Sequence, residues 1–110
     1  MTNRFGGFGG GGGMNMQSLM KQAQAMQERV SEANKELEEM EITASAGSGA
    51  VVMVITGKKV IKSIKIDPSV VDKDDVEMLE DLIIAACNEA YALSQKAHDD
   101  KMGPLTGGMF

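Results

Sequence analysis

From Met16 to Met40 the apolar residues fall at Met16, Leu19, Ala23, Met26, Val30, Ala33, Leu37 and Met40, in steps that alternate between three and four. This is heptad spacing without a break, and it predicts one long helix with a single apolar seam. A seam of the same period runs through Val76, Leu79, Ile83, Ala86, Ala90, Leu93 and Ala97, predicting a second long helix. The residues between them have a different pattern. Ile42 to Ala46, Ala50 to Thr56 and Val60 to Ile66 are rich in Val and Ile and read as three strands, separated by turns at Gly47-Ser48-Gly49 and Gly57-Lys58-Lys59. Connections this short make the strands an antiparallel meander. The expected fold is α+β: long helix, three-stranded antiparallel meander, long helix.

The ends of these elements carry local signals. Asn15 is placed to cap the first helix, which then runs through good helix formers such as Gln, Ala, Glu, Lys and Leu. Asp67-Pro68 stops the third strand, and Ser69-Val70-Val71 reads as a brief turn. Asp72 is the expected N-cap of the last helix, with Asp74, Asp75 and Glu77 beside the positive end of its dipole. That helix should run to about Met102 and stop at Gly103-Pro104. Residues 1–13, with a run of five glycines, have no periodicity and read as a mobile tail. No Gly-Lys-Ser/Thr closes the glycine run, so it is not a phosphate loop. Residues 14–104 then form a single domain, and 105–110 a short C-terminal tail.

Length and coverage turn these elements into an architecture. Twenty-five helical residues span ~37 Å, whereas a seven-residue strand spans ~23 Å, so the helices must overhang the sheet. The first helix is tied to the sheet at its C-terminal end and the last at its N-terminal end. If they run antiparallel, residues 14–27 and about 88–102 form a projecting arm. In the middle strand Val51, Met53 and Ile55 point one way and Val52 and Val54 the other. One face is then expected against the chain's own helices and the other against a second copy, with Val51, Val52, Met53, Val54 and Ile55 as the core of a symmetric homodimer. The alternative is a monomer with a helix on each face.

Charge changes the functional picture. The 110 residues carry a net charge of −5, unevenly spread. Residues 42–66 hold four lysines and no acid, whereas residues 67–102 hold ten acids and three bases. Residues 14–27 contain one base, Lys21, and no acid, while residues 28–41 contain six glutamates. The tip of the expected arm is therefore the least acidic part of the helical pair, with Lys21, Lys96 and Lys101 as its bases and Arg29 just below. The strand lysines Lys58, Lys59, Lys62 and Lys65 read as protection of a sheet edge against aggregation.

Catalytic chemistry has little to stand on. With His98 as the only histidine, no Ser-His-Asp triad or multi-histidine metal site can form within one chain. His98 is expected to face solvent. Cys87 lies among Ile84, Ala85, Ala86 and Ala90 and reads as a small core residue. Asp72, Asp74 and Asp75 lack the glycine and distal glutamate of a calcium loop. No metal, cofactor or small-molecule substrate is expected, and the protein is not read as an enzyme. The longest apolar runs, Ala50 to Ile55 and Leu82 to Cys87, are far shorter than the ~20 residues of a membrane span, which places the protein in the cytoplasm and away from the membrane.

Four stretches bring a family into view: Leu19-Met20-Lys21-Gln22-Ala23-Gln24-Ala25-Met26-Gln27-Glu28, Ile66-Asp67-Pro68-Ser69, Leu79-Glu80-Asp81-Leu82-Ile83-Ile84-Ala85-Ala86, and Lys101-Met102-Gly103 with Leu105-Thr106-Gly107-Gly108. Together they resemble the YbaB/EbfC family over about residues 14 to 108, in the family's order and spacing. The resemblance implies a small bacterial nucleoid-associated protein, homodimeric, with paired helices that project like tweezers and contact double-stranded DNA. It places the family's basic positions at Lys21, Arg29 and Lys101. Pro104 departs from the pattern, standing where relatives often carry a lysine. Lys96 adds charge, and Gln17, Gln22 and Gln24 are candidate hydrogen-bond donors to phosphate or base edges. The alternative function is a protein-interaction module that uses Met-rich helical arms and binds no nucleic acid.

Overall fold

The computed structural model describes residues 16–106. Helix α1 spans Met16–Glu39, followed by strands β1 (Ile42–Ala46), β2 (Val51–Ile55) and β3 (Ile61–Ile66), a 3-10 turn at Pro68–Val70, and helix α2 over Val76–Thr106. The strands form one antiparallel sheet in the order β1-β2-β3. This is the expected architecture, with each strand within a residue of its expected bounds. The expected mobile tail at 1–13, the cap at Asn15 and residues 107–110 of the expected C-terminal tail lie outside the described residues.

Two helix ends differ from expectation. The last helix begins at Val76, capped by Asp75, whose Oδ1 accepts from the Met78 N–H at 3.2 Å. Asp72 instead closes a tight turn before it: its Oδ1 accepts from Asp74 N–H at 2.9 Å and its carbonyl from Asp75 N–H. At the other end the helix continues through Gly103 and Pro104 to Thr106. Pro104 has no N–H to donate to the Asp100 carbonyl four residues back, so the extra turn depends on packing. Met102 and Leu105, packed against α1, hold the extra turn in place. Asp67 caps the 3-10 turn, and the Ser69 N–H donated to its Oδ1 at 2.9 Å holds its carboxyl below the usual carboxylate range.

The register puts nine apolar residues on one sheet face: Ile42, Ala44 and Ala46 of β1, Val51, Met53 and Ile55 of β2, and Ile61, Ile64 and Ile66 of β3. Helix α2 lies over β1 and β2 on this side, burying Ala44, Val51, Met53, Ile55, Ala86 and Ala90. The opposite face carries Thr43, Ser45, Val52, Val54, Ser63 and Lys65. Alternation in β2 alone suggested two apolar faces, but the neighbouring strands make the second face mostly polar. The five β2 residues expected at a dimer core accordingly divide. Val51, Met53 and Ile55 are sealed under this chain's own helix, while Val52 and Val54 are half-buried on the polar face. The open apolar surface is instead on the helix side of β3, where Ile61 and Ile64 remain exposed. Ile84 and Tyr91 of α2 are exposed too, on the same helix flank as Gln95 and His98, which meet the turn leading into β3.

Helix α1 does not share the cover of the sheet. It packs on the far part of α2 in a second core of Ala33, Leu37 and Met102, flanked by Val30, Met40, Ala97 and Leu105. The β2–β3 turn joins both helices. Gly57 N–H donates to the Leu37 carbonyl at 2.9 Å, and the Ser94 hydroxyl, fully buried, donates to the Thr56 carbonyl at 2.8 Å. A Cβ on Gly57 would lie 2.6 Å from Leu37 Cδ2 and 3.0 Å from the Leu37 carbonyl oxygen. The backbone approach thus requires glycine. The resulting molecule is long and narrow, 81 × 26 × 16 Å.

Gly57→Ala is expected to destabilise the fold by about 1–3 kcal/mol through overpacking against a backbone atom, and Ser94→Ala by about 1 kcal/mol. Urea unfolding followed by far-UV circular dichroism measures both; wild-type stability in Gly57→Ala would remove the turn from its place as the joint of the arm.

Candidate nucleic-acid interface

The two helices run antiparallel, with Met102 beside Ala33 and Leu37, and Leu105 in the same cluster as Val30. Helix α2 therefore reaches only the sheet-proximal half of α1. Residues 16–29 of α1 continue ~21 Å further, and among the described residues nothing covers their seam. Met16 and Met20 are 74% and 59% exposed, and Leu19 and Met26 are exposed as well. The projecting arm is thus two helices thick at its root and one helix thick at its tip.

This separates residues expected to share the tip. Lys21, Gln17, Gln22 and Gln24 are exposed on the single-helix part. Lys101 is not beside them: its ammonium hydrogen-bonds the Glu36 carboxylate, fifteen residues and ~22 Å along α1 from Lys21. Lys96 lies one turn nearer the sheet and pairs with Asp100 at 3.3 Å. Arg29, exposed and without an ion pair, lines a shallow groove with Ala25, Glu28, Ser31, Glu32 and Lys35. Of the four bases picked from the sequence, Lys21 and Arg29 are unpaired and Lys96 and Lys101 are neutralised.

The layout also separates Lys21 from the acids of the helix. Glu28 is the first acid along α1, seven residues or ~10 Å of helix beyond Lys21. Surface charges further apart than ~8 Å are largely screened at physiological salt. The tip therefore presents Lys21 with little influence from the glutamates below.

Two lysines of the β2–β3 turn reach the helices. Lys58 Nζ donates to Asn34 Oδ1 on α1 at 2.6 Å, and Lys59 Nζ donates to Gln95 Oε1 on α2. Lys62, the extra residue at a bulge in β3, lies 3.4 Å from Glu41. The absence of any acid over residues 42–66 is the signal that marks Lys58 and Lys59 out. His98 is half-exposed beside them, its Nδ1 buried without a hydrogen bond and 3.5 Å from Asp99 Oδ1. Cys87 is half-buried at the edge of the sheet core. Among the described residues no group of three or more His, Cys, Asp or Glu side chains is arranged to hold a metal ion, and no helix is long and apolar enough to cross a membrane.

A family model described as the YbaB/EbfC DNA-binding family matches residues 11–109. The chain belongs to the YbaB/EbfC DNA-binding family. This family member is 56% identical over 105 residues to a nucleoid-associated protein of Clostridium novyi, covering 94% of this chain and 92% of that one. It is 52% identical over 104 residues to a nucleoid-associated protein of Clostridium acetobutylicum, covering 94% and 93%. Its fold is similar to the crystal structure of an uncharacterized protein, HP0035, from Helicobacter pylori, with a TM-score of 0.68 and 22% identity over 87% of this chain and 97% of that one. The family is one of DNA-binding proteins rather than enzymes, as the lack of catalytic groupings in the sequence led us to expect.

The difference between paired and unpaired bases is measurable. Lys21→Gln should weaken binding to a duplex several-fold and lower the slope of log affinity against log salt by about 1. Lys96→Gln, which removes a lysine already held by Asp100, should lower that slope by less than Lys21→Gln does. Fluorescence anisotropy across a salt series checks both, and equal effects would contradict the division.

Proposed function

We propose that this family member is a nucleoid-associated protein of the bacterial cytoplasm that works as a homodimer and grips duplex DNA with its helical arms, mainly through phosphates. The observation that carries this reading is the acid-free tip of α1, with Lys21 unpaired and beyond the screened reach of the glutamates. Lys21 and Arg29 supply the first contacts. Lys96 and Lys101 contribute by exchanging Asp100 and Glu36 for phosphate, while Gln17, Gln22 and Gln24 donate hydrogen bonds to phosphate or base edges. No element carries the Arg- and Asn-rich surface of a base-reading helix, which favours binding with little dependence on sequence.

The exposed Ile61, Ile64, Ile84 and Tyr91 support the homodimer. A second copy seated on this flank continues the core that begins at Val51, Met53 and Ile55, and it covers apolar area that monomers rarely leave open. Two-fold symmetry then supplies two arms from one chain type. Residues 14–104 act as one unit for both dimerisation and DNA binding.

Light scattering coupled to size exclusion should give twice the 11.7 kDa chain mass, and Ile61→Lys with Ile64→Lys should give the single-chain mass. The wild-type dimer should bind an arbitrary duplex at low salt and lose affinity roughly a hundredfold between 50 and 200 mM salt if about four phosphates are contacted. A dimer that binds no duplex at low salt overturns the reading.

A further inference from the structure

The β2–β3 turn lies where both helices leave the sheet, and its two lysines differ from those of the arm. Lys58 and Lys59 are held by the neutral side-chain amides of Asn34 and Gln95, not by carboxylates. Their charge is therefore undiminished, whereas Lys62, Lys96 and Lys101 each face an acid. An ammonium has three donors, so one bond to an amide leaves two for a ligand. Anchoring also restricts these long side chains before a ligand arrives, which lowers the ordering cost of binding.

The same turn borders a cleft of about 240 Å³ lined by Gly57, Lys58, Lys59, Gln95 and His98. At ~30 Å³ of liquid volume per water, a phosphate group with its bridging waters fits. The nearby carboxylate of Asp99 accepts from Gln95 Nε2 at 2.9 Å and lies 3.5 Å from His98 Nδ1. Two lysines against one aspartate leave the cleft positive. Backbone donors do not contribute. The N–H groups of Gly57, Lys58 and Lys59 are taken by Leu37 O, Thr56 Oγ1 and Thr56 O, so recognition is by side chains alone.

We propose that Lys58 and Lys59, with Gln95 and His98, form a second phosphate-binding site that takes the sugar–phosphate backbone of duplex DNA at the root of the arm. This rests on the DNA-binding reading above and extends it. Asn34, which holds Lys58, is thirteen residues from Lys21, or ~20 Å along α1. At 3.4 Å per phosphate along one strand, tip and root are spaced to engage phosphates about six base pairs apart on a duplex laid along the arm.

The test uses the full chain and a 30-base-pair duplex of arbitrary sequence, with affinity measured by anisotropy across a salt series. Lys58→Gln with Lys59→Gln should weaken binding about tenfold at 100 mM salt and lower the salt slope by about 2. Lys58→Arg with Lys59→Arg should keep both near wild type, and Lys73→Gln, a single-charge control on an exposed lysine outside the site, should change neither. Wild-type affinity in the double glutamine variant, or a loss in Lys73→Gln as large as in Lys58→Gln alone, overturns the second site while DNA binding itself stands. Failure of the wild-type protein to bind overturns both. Should the double variant misfold, amide NMR shifts of the wild-type protein on adding the duplex decide: movement at Lys58, Lys59, Gln95 and His98 supports the site, and its absence overturns it.

Discussion

The structure depends on one backbone contact, the Gly57 N–H donated to the carbonyl of Leu37. A helix leaves its last four carbonyls without partners, and at the end of α1 one of these is satisfied by a strand turn rather than by water. The contact demands that two backbones meet with no Cβ between them. Because the adjacent Thr56 carbonyl receives the buried Ser94 hydroxyl, both helices are fixed to the same turn. Their antiparallel course and the second core around Leu37 and Met102 follow from that shared anchor. The arm is thereby directed away from the sheet instead of folding back over it.

The same anchoring sorts the charges. Glutamates gather in the sheet-proximal half of α1 and just past its end, where Glu36 and Glu41 engage Lys101 and Lys62. Ion pairs at such exposed positions contribute little to stability, but they decide which cations remain available. A net charge of −5 describes the average surface and not the tip of α1. Screening over about 8 Å lets an acidic body and a basic tip coexist on one helix.

Much of this was legible in the sequence. The steps of three and four identified both helices, and short connections fixed the meander, because periodicity and loop length are local properties. What remained hidden depends on how elements meet. Residues Val52 and Val54 looked like half of a second apolar face until the register set Thr43, Ser45, Ser63 and Lys65 beside them. The seam of α1 is continuous from Met16 to Met40, yet only its second half is used, since the register between the helices brings α2 to an end near Val30. Gly103-Pro104 has the chemistry of a helix stop, and packing at Leu105 overrides it. Lysines cannot be ranked as ligands from sequence, because their partners come from other elements: an amide for Lys58, a carboxylate for Lys101.

The single-helix tip is the least supported part of the arm. Helices of fewer than about 12–15 residues are marginal in water when nothing packs against them, and residues 16–29 rely on their own hydrogen bonds and on continuity with the docked half of α1. Helix–coil exchange is therefore concentrated at the segment that carries Lys21, while Leu37 and its neighbours stay closed.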